Sequence, residues 1–336
     1  MQRTRTAREI ALAFHAAQAR RSRLTADEVQ RLWRQLDQRD LSASWSASVG
    51  PRVIRAVTAG QWASAAAADE YVDSVVVAEG AEPDRAGRVR PQAFAGVAAD
   101  GRSLESLMYL PVITSKMRIA GGLGIEEALM AGLRQALRLS ASEVTQAGRG
   151  AVGTSMTGAR TIQGYVRVVQ PPACSRCIIL AGKEYGWNKG FQRHPKCDCI
   201  HLPTTLIARG RGRQHGGFID PRGYFGSLSR AEQDRVFGAA GARAIREGGD
   251  IAAIVNARRG MYTTTSGLRA TREGTSRRGE FFRSERRRDV QAGRVRPDIG
   301  RRYSLTTARL LPEEIFELAG SRDQAIAMLR RFGYMG

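Results

Sequence analysis

All four cysteines and two of the four histidines of this 336-residue chain lie within 28 consecutive residues. The cluster reads Cys174-Ser-Arg-Cys177 and, sixteen residues later, His194-Pro-Lys-Cys197-Asp-Cys199-Ile-His201. A C-x2-C turn brings two thiolates to one side of a metal, and H-x2-C repeats that spacing with an imidazole. The pattern predicts one structural Zn2+ held by Cys174, Cys177, His194 and Cys197. Cys199 or His201 could replace either member of the second pair.

Two other states of the cluster stay open from the sequence. The cysteines could form two disulfides if the mature protein resides in an oxidised particle, or they could remain reduced without a metal. A catalytic metal is not expected, because a closed thiolate-rich ligand set leaves no open coordination position. A zinc module of this kind would stabilise a small unit whose core is too thin to fold alone.

The second chemical signal is positive charge. The chain has 53 Lys and Arg against 32 Asp and Glu, so its formal net charge is +21. An excess of this size indicates a polyanionic partner, most often nucleic acid. The most basic stretch, 272–302, has few apolar residues beyond Phe281 and Phe282 and is predicted to be a flexible arm. The arginines expected to contact DNA phosphates are Arg277, Arg278, Arg283, Arg286, Arg287, Arg288, Arg294 and Arg296.

Apolar runs in the sequence are too short for a membrane span, which needs about 20 residues. The longest runs resemble Val75-Val-Val-Ala78, and the N-terminus has no apolar core of a secretory signal. A soluble product made in the cytoplasm, with no membrane partner, is therefore expected.

The elements that must position these groups are mainly helical. Capping-box patterns at Thr6–Glu9 and Thr25–Glu28 predict two helix starts, and Pro51 predicts a third. Tyr165–Val169 is short and β-branched, which predicts a strand before the cysteines. The expected fold class is mainly α, with a small α+β cysteine-rich module. The expected domains are a helical region at 1–155, a Cys/His module at 156–205, a basic region with two helices and the arm at 206–305, and a short helical tail at 306–336.

The cysteine motif resembles a family signature. Pro172-Ala-Cys174-Ser-Arg-Cys177-Ile-Ile-Leu-Ala-Gly182, closing with Arg193-His194-Pro195-Lys-Cys197-Asp-Cys199, is similar to the signature of phage Mu F-type minor head proteins, the phage head morphogenesis family. About 30 residues carry the motif. The resemblance implies a low-copy protein in the capsid interior of a tailed bacteriophage, near the portal vertex. It implies the portal protein as a partner, possibly with scaffold or major capsid protein, and proximity to packaged double-stranded DNA.

Relatives of this type are often described as capsid maturation proteases fused to the Mu F-type domain, so the resemblance leaves that activity open. The residues give it little support and identify no catalytic group. A Ser or Cys protease needs a base beside its nucleophile, usually His. Outside the cluster only His15 and His215 remain, and Ser155 has no partner that the sequence can name. A zinc-containing DNA-binding protein is the third alternative.

Overall fold

The computed structural model describes residues 5–189, 199–206, 220–297 and 302–336. The chain divides into two compact units, Met1–Val168 with Gly182–Phe218, and Val169–Ala181 with Ile219–Gly336. These boundaries differ from those expected from the sequence, because the cysteine region is shared between the units. Cys174 and Cys177 belong to the second unit, whereas Cys199 and His201 belong to the first. The described fold is mainly helical with small antiparallel sheets, as the sequence predicts.

The first unit is built around one long helix. In chain order its helices are α1 (Ala7–Trp33), α2 (Leu41–Ser44), α3 (Gly50–Ala66), α4 (Ala68–Ala78), α5 (Leu104–Ala120) and α6 (Ile125–Gly158). A π-helical turn, Trp45–Val49, joins α2 to α3. The 34-residue α6 packs against α1, α3, α4 and α5, and the buried side chains of these helices form the core.

Local chemistry explains most of the helix boundaries. The Thr6–Glu9 capping box opens α1, and Pro51 lies in the first turn of α3, as predicted. The helix start predicted from the second capping box is wrong, because α1 continues through Thr25. Its hydroxyl donates to the Arg21 carbonyl one turn back at 3.0 Å, so it does not cap a new helix.

Glycine permits close contact where α5 meets α6. A Cβ on Gly132 would lie 2.1 Å from Ser115 Oγ and 2.7 Å from the Pro111 carbonyl oxygen. The hairpin between these helices is the Gly121-Gly-Leu-Gly124 segment, which confirms that this glycine run is a helix break. Gly122 has a φ of 87°, a conformation that only glycine adopts readily.

A small sheet completes the first unit. Its strands are β1 (Gly164–Val169), β2 (Glu184–Gly186) and β3 (Cys199–Thr204), in the order β2-β1-β3. β1 pairs antiparallel with β2, with Tyr165 opposite Tyr185. All six residues of β1 are buried, which confirms the predicted strand. β3, the strand that carries Cys199 and His201, contacts α1, α4 and α6, so helices cover this part of the sheet.

The second unit combines short helices with a second small sheet. Its helices are α7 (Ser175–Ile178), α8 (Pro221–Ser227), α9 (Arg230–Phe237), α10 (Ala239–Arg246), α11 (Ile251–Ala257), α12 (Glu280–Gln291), α13 (Pro312–Leu318) and α14 (Arg322–Arg331). Strands β4 (Met261–Thr263), β5 (Arg269–Thr271) and β6 (Arg309–Leu310) pair antiparallel in that order. Ser229 and Ser321 cap α9 and α14.

The predicted separate tail is part of the core of the second unit. Leu311 and Tyr334 are almost fully buried in the same cluster as Phe281 and Ile254. Arg309 fixes this end of the chain, because its guanidinium donates to the Phe332, Gly333 and Glu273 carbonyls at 2.7, 3.0 and 2.8 Å. The same group stacks 4.3 Å above the ring of Tyr334.

Residues 272–297 of the basic stretch are folded where the sequence predicted a flexible arm, and residues 298–301 lie outside the described residues. Residues 280–291 form α12, and Phe281 and Phe282 are 1% and 8% exposed. Phe281 packs against Phe332, and Phe282 packs edge-on to Tyr303. The sequence prediction fails here because two adjacent aromatic residues anchor a helix whose other residues are mostly polar.

Among the described helices, none is both long enough and apolar enough to cross a lipid bilayer.

Candidate functional site

The C-x2-C half of the cysteine cluster forms a tight turn. Cys174 is the N-cap of α7, and its Sγ accepts a hydrogen bond from the backbone N–H of Cys177 at 3.4 Å. Cys177 is 2% exposed, and no disulfide joins these two residues. A backbone N–H directed at a sulfur stabilises its thiolate, which is the form that binds a metal. The C-x2-C residues therefore form a turn that begins a short helix.

Cys199 has a different environment. Its Sγ accepts from Arg167 Nε at 3.2 Å and from Arg167 Nη2 at 2.9 Å. Both residues are 2% exposed. A buried guanidinium needs hydrogen-bond acceptors for its N–H groups, and the Cys199 sulfur accepts two of those of Arg167. Cys199 therefore lies against a buried cation.

His201 lies two residues further along β3. Its ring contacts the ring of Tyr165 at a centroid distance of 4.4 Å, and its carbonyl accepts from the Tyr71 hydroxyl at 2.6 Å. His194 and Cys197 lie outside the described residues. Within the residues that are described, no group of three or more His, Cys, Asp or Glu side chains is arranged to hold a metal.

The predicted DNA-contacting arginines meet at a cleft on α12. Arg277, Arg283, Arg286 and Arg287 line a space of about 590 Å³, together with Glu280 and Phe282. Arg283 and Arg287 follow one another at i, i+4 and share a face of the helix. Four guanidiniums around one cleft, with a single carboxylate among its lining residues, form a surface that attracts anions.

Ion pairs reduce the charge of several predicted arginines. Glu280 accepts from Arg283 at 2.8 Å and from Arg287 at 3.1 Å. Arg288 pairs with the buried Glu285 at 3.3 Å, and Arg294 pairs with Asp289 at 2.7 Å. The arginines of these pairs remain at least half exposed. Only in the pairs with Glu280 is the carboxylate exposed as well, so Arg283 and Arg287 can exchange this carboxylate for a phosphate at low cost.

Arg286, one of the four cleft arginines, donates to the Pro297 carbonyl at 2.8 Å, and its Nε is buried without a hydrogen-bond partner among the described residues. Arg278 and Arg296 are exposed and do not line the cleft. The structure therefore brings four of the eight predicted arginines together.

Ser155, the serine considered for catalysis, belongs to a buried polar network. It is 1% exposed, and its hydroxyl donates to Asp69 Oδ1 at 2.7 Å and accepts from Arg85 Nη1 at 3.1 Å. Arg85 also pairs with Asp73 at 2.7 Å. These contacts tie the 81–90 segment to α4 and α6, and they assign Ser155 a structural role. His15 lies elsewhere on α1, at the cavity beside β3.

Arg167 is the residue that sequence reasoning missed. It stands inside a fully buried β-branched strand, where an arginine is unfavourable unless it is paired. An arginine inside an apolar strand was the sequence signal for this contact, because a buried cation requires an acceptor nearby. The partner, Cys199, lies 32 residues away, and only the β2-β1-β3 sheet brings the two together.

No family model, curated protein or solved structure matches this chain.

Proposed function

We propose that this chain is a minor head protein of a tailed bacteriophage, of the phage Mu F type, which contacts packaged double-stranded DNA through its phosphates. The observation that carries the DNA contact is the arginine-lined cleft on α12. The family assignment is supported by the C-x2-C and H-P-x-C-x-C residues and by the net charge of +21.

A phosphate backbone suits this cleft chemically. Guanidiniums bind phosphate oxygens through charge-assisted hydrogen bonds, and they read no base sequence when they contact only the backbone. Four cleft arginines that each neutralise one phosphate give a slope of log K against log salt of about −4 on duplex DNA. The sequence alone, with a net charge of six over 272–302, indicated a slope of about −5.

The test is a double substitution in the cleft, Arg286→Gln with Arg287→Gln. Arg288 is left in place, because it pairs with the buried Glu285 and its loss would disturb the helix. The salt slope should become shallower by about 2. The matched control, Arg230→Gln with Arg235→Gln on α9, removes the same charge from two exposed positions of the same unit.

Binding is measured by fluorescence anisotropy on a labelled duplex between about 50 and 200 mM salt, the range in which counterion release dominates. Two unrelated sequences of equal length should give the same affinity. If both double variants lower the slope equally, the cleft has no special role and the DNA assignment is wrong. If the cleft variant instead loses association with the portal protein and keeps DNA binding, the cleft is a protein-docking surface.

We also place the protein in the virion, inside the capsid near the portal vertex, with the portal protein as its partner. Scaffold or major capsid protein are possible further contacts. Cross-linking of purified particles followed by mass spectrometry should recover peptides of this chain joined to the portal. Particles that lack the protein altogether would contradict this location.

The cysteine cluster is proposed to hold one structural Zn2+. The ligands would be Cys174, Cys177, His194 and Cys197, and the support is the turn that places the Cys177 N–H on Cys174 Sγ. The metal would supply folding free energy to this part of the chain and no reaction step.

A further inference from the structure

The hairpin formed by α5 and α6 ends in a segment that is exposed to solvent. Every residue from 116 to 124 is exposed, although residues 116–120 still belong to α5. At 1.5 Å per residue, these five helical residues extend about 7.5 Å past Ser115, the last buried residue of α5. The end of the hairpin therefore projects from the first unit.

Exposed apolar side chains are concentrated on this hairpin. Met117 and Met130 are 69% and 50% exposed. Among the described residues, twelve large apolar side chains are exposed, and five of them lie on the hairpin: Ile113, Met117, Ile119, Leu123 and Met130. Single exposed apolar residues are normal on a protein surface, but a concentration of them marks an interaction site.

The hairpin is well ordered close to its end. The Thr114 hydroxyl donates to Gln135 Oε1 at 2.5 Å, one turn from the close contact between the helices at Gly132. The turn is closed by the Leu123 N–H, which donates to the Arg118 carbonyl at 3.0 Å. A surface that is ordered before it binds loses less conformational entropy on association.

The two helices carry opposite charges near the end of the hairpin. Lys116 and Arg118 lie in the last two turns of α5, and Glu126 and Glu127 lie in the first turn of α6. Within the described part of the chain, Arg118, Glu126 and Glu127 form no ion pair, and Lys116 donates to the neutral Ser42 hydroxyl at 2.9 Å. These signs suit the dipoles of the two helix ends, but the dipoles do not account for the exposed methionines.

The four charges indicate the class of partner. They sum to zero, so the end of the hairpin does not attract a phosphate backbone or an anionic lipid surface. A second copy of the same hairpin offers an apolar surface, a basic helix end for the acidic one and an acidic helix end for the basic one. Such self-complementarity is what a two-fold symmetric interface requires.

We propose that two copies of this chain associate through the end of the α5–α6 hairpin, with α5 of one copy against α6 of the other. Met117 and Met130 become buried between the copies. The basic end of α5 faces the acidic start of α6 in the second copy. This inference goes beyond the proposed head function and does not depend on it.

The size of the surface sets the strength of the dimer. The exposed residues of the hairpin are 113, 116–124, 126, 127, 130 and 134, which is fourteen for each copy. A standard stable interface has about 20–30 residues a side. The dimer is therefore weak, with a Kd in the micromolar range.

The association is measured by sedimentation velocity of the full chain between about 1 and 200 µM, which brackets a micromolar Kd. At about 0.15 M salt the Debye length of about 8 Å limits the repulsion caused by the net charge of +21. The sedimentation coefficient should rise with concentration from that of a monomer towards that of a dimer. A monomer throughout this range would overturn the proposal, and so would larger assemblies, because a two-fold interface closes at two copies.

A first pair of substitutions tests the apolar surface. Met117→Gln with Met130→Gln keeps the charge of the hairpin and should raise the dimer Kd by about tenfold or more. The control is Leu24→Gln with Val77→Gln, which removes two apolar side chains of the same unit, each 58% exposed, on α1 and α4. Circular dichroism confirms that both variants are folded. Equal effects of the two pairs would refute the assignment of the dimer contact to the hairpin.

Charge reversal tests which helices meet. Lys116→Glu with Arg118→Glu lowers the net charge by four, and Glu126→Lys with Glu127→Lys raises it by four. If net charge alone governed association, the first pair would strengthen the dimer and the second would weaken it. In the proposed contact each pair places like charges opposite one another, so each should weaken the dimer by about tenfold or more.

All four charge reversals together should restore the native affinity, because opposite charges again face each other across the interface. A fourfold variant that dimerises as weakly as either pair would show that α5 does not meet α6 of the second copy. A dimer strengthened by Lys116→Glu with Arg118→Glu would show that only net charge matters. Either result would overturn the proposal.

Discussion

Replacing Arg85 by methionine should destabilise the first unit by about 3–5 kcal/mol, the cost of removing one partner from a buried ion pair. The Arg85 side chain is 7% exposed, and those of its partners Asp69 and Asp73 are 14% and 24% exposed. The guanidinium also donates to the Asp69 carbonyl at 2.8 Å and to Ser155 Oγ at 3.1 Å. Methionine fills a similar space but removes the cation from both carboxylates and the donor from the Asp69 carbonyl, while Asp69 keeps the neutral donors Ser155 Oγ and Val89 N–H.

A neighbouring ion pair supplies the control. Arg160 and Asp84 are joined at 3.0 Å but are 64% and 56% exposed. Exposed pairs contribute about 1 kcal/mol or less, so Arg160→Met should have a small effect. The two substitutions remove the same charge, and Asp84 is adjacent to Arg85 in the chain. The pairs differ in burial and in the number of groups that the guanidinium contacts, since Arg85 also reaches a second carboxylate, a carbonyl and a hydroxyl.

Tryptophan fluorescence during urea unfolding measures the first unit selectively. The four tryptophans of the chain, at positions 33, 45, 62 and 187, all belong to that unit. With a urea m value of about 2 kcal/mol per molar, Arg85→Met should lower the unfolding midpoint by roughly 1.5–2.5 M. Adding Asp69→Asn and Asp73→Asn should recover part of the loss, because no buried charge is then left unpaired. Equal midpoints for Arg85→Met and Arg160→Met would refute the reasoning.

Three further predictions concern other groups. Arg309→Lys should destabilise the second unit by about 2–4 kcal/mol, because an ammonium cannot reproduce the planar fork that joins three carbonyls. Amide hydrogen exchange at residues 332–334 measures this loss, and unchanged protection there would contradict the prediction. Burial raises the pKa of Glu143 in the folded protein above its value in the unfolded chain. The stability that this shift contributes is fully present below the unfolded pKa of Glu143 and is lost as pH rises through its folded pKa. Glu143→Gln should therefore gain stability relative to the native chain between pH 4 and 7, by fluorescence-detected unfolding, and a pH-independent difference would count against the burial argument. Cys174→Ser should remove zinc from a protein that otherwise contains about one Zn2+ per chain by elemental analysis; folded, reduced native protein without zinc would contradict the metal proposal.

Local signals were sufficient for much of the helical architecture. Thr6 caps α1 where its pattern predicts, since a capping box depends only on residues within one turn. Thr25 matches the same pattern and caps nothing, because its hydroxyl bonds backward within a helix whose buried face continues to Trp33. The alternatives were one continuous helix and a second helix that begins at Thr25, and packing of α1 against α6 favours the continuous helix.

The site residues were predictable only where they are close in sequence. The four arginines that line the cleft, one just before α12 and three on it, fall within eleven residues of the sequence. The helix that presents them was missed because its order depends on Phe332 and Tyr303, which are distant in the chain. The contact of Arg167 with Cys199 and the cavity beside His15 depend on the pairing of strands and helices, which no local spacing encodes.

The contacts of Tyr334 set the point in synthesis at which the second unit can complete its core. Tyr334 is fully buried, its hydroxyl donates to the Leu310 carbonyl at 2.9 Å, and its own carbonyl accepts from the Asp250 N–H at 2.6 Å. The α8–α11 helices therefore cannot complete their core until the ribosome has released residue 334. The sheet of the first unit is complete once β3 has been translated, so this sheet can form while the basic segments are still being translated. A nascent chain stalled before Phe332 would expose Phe281 and Ile315 to chaperones and proteases, so translation of residues 332–334 protects the core of the second unit.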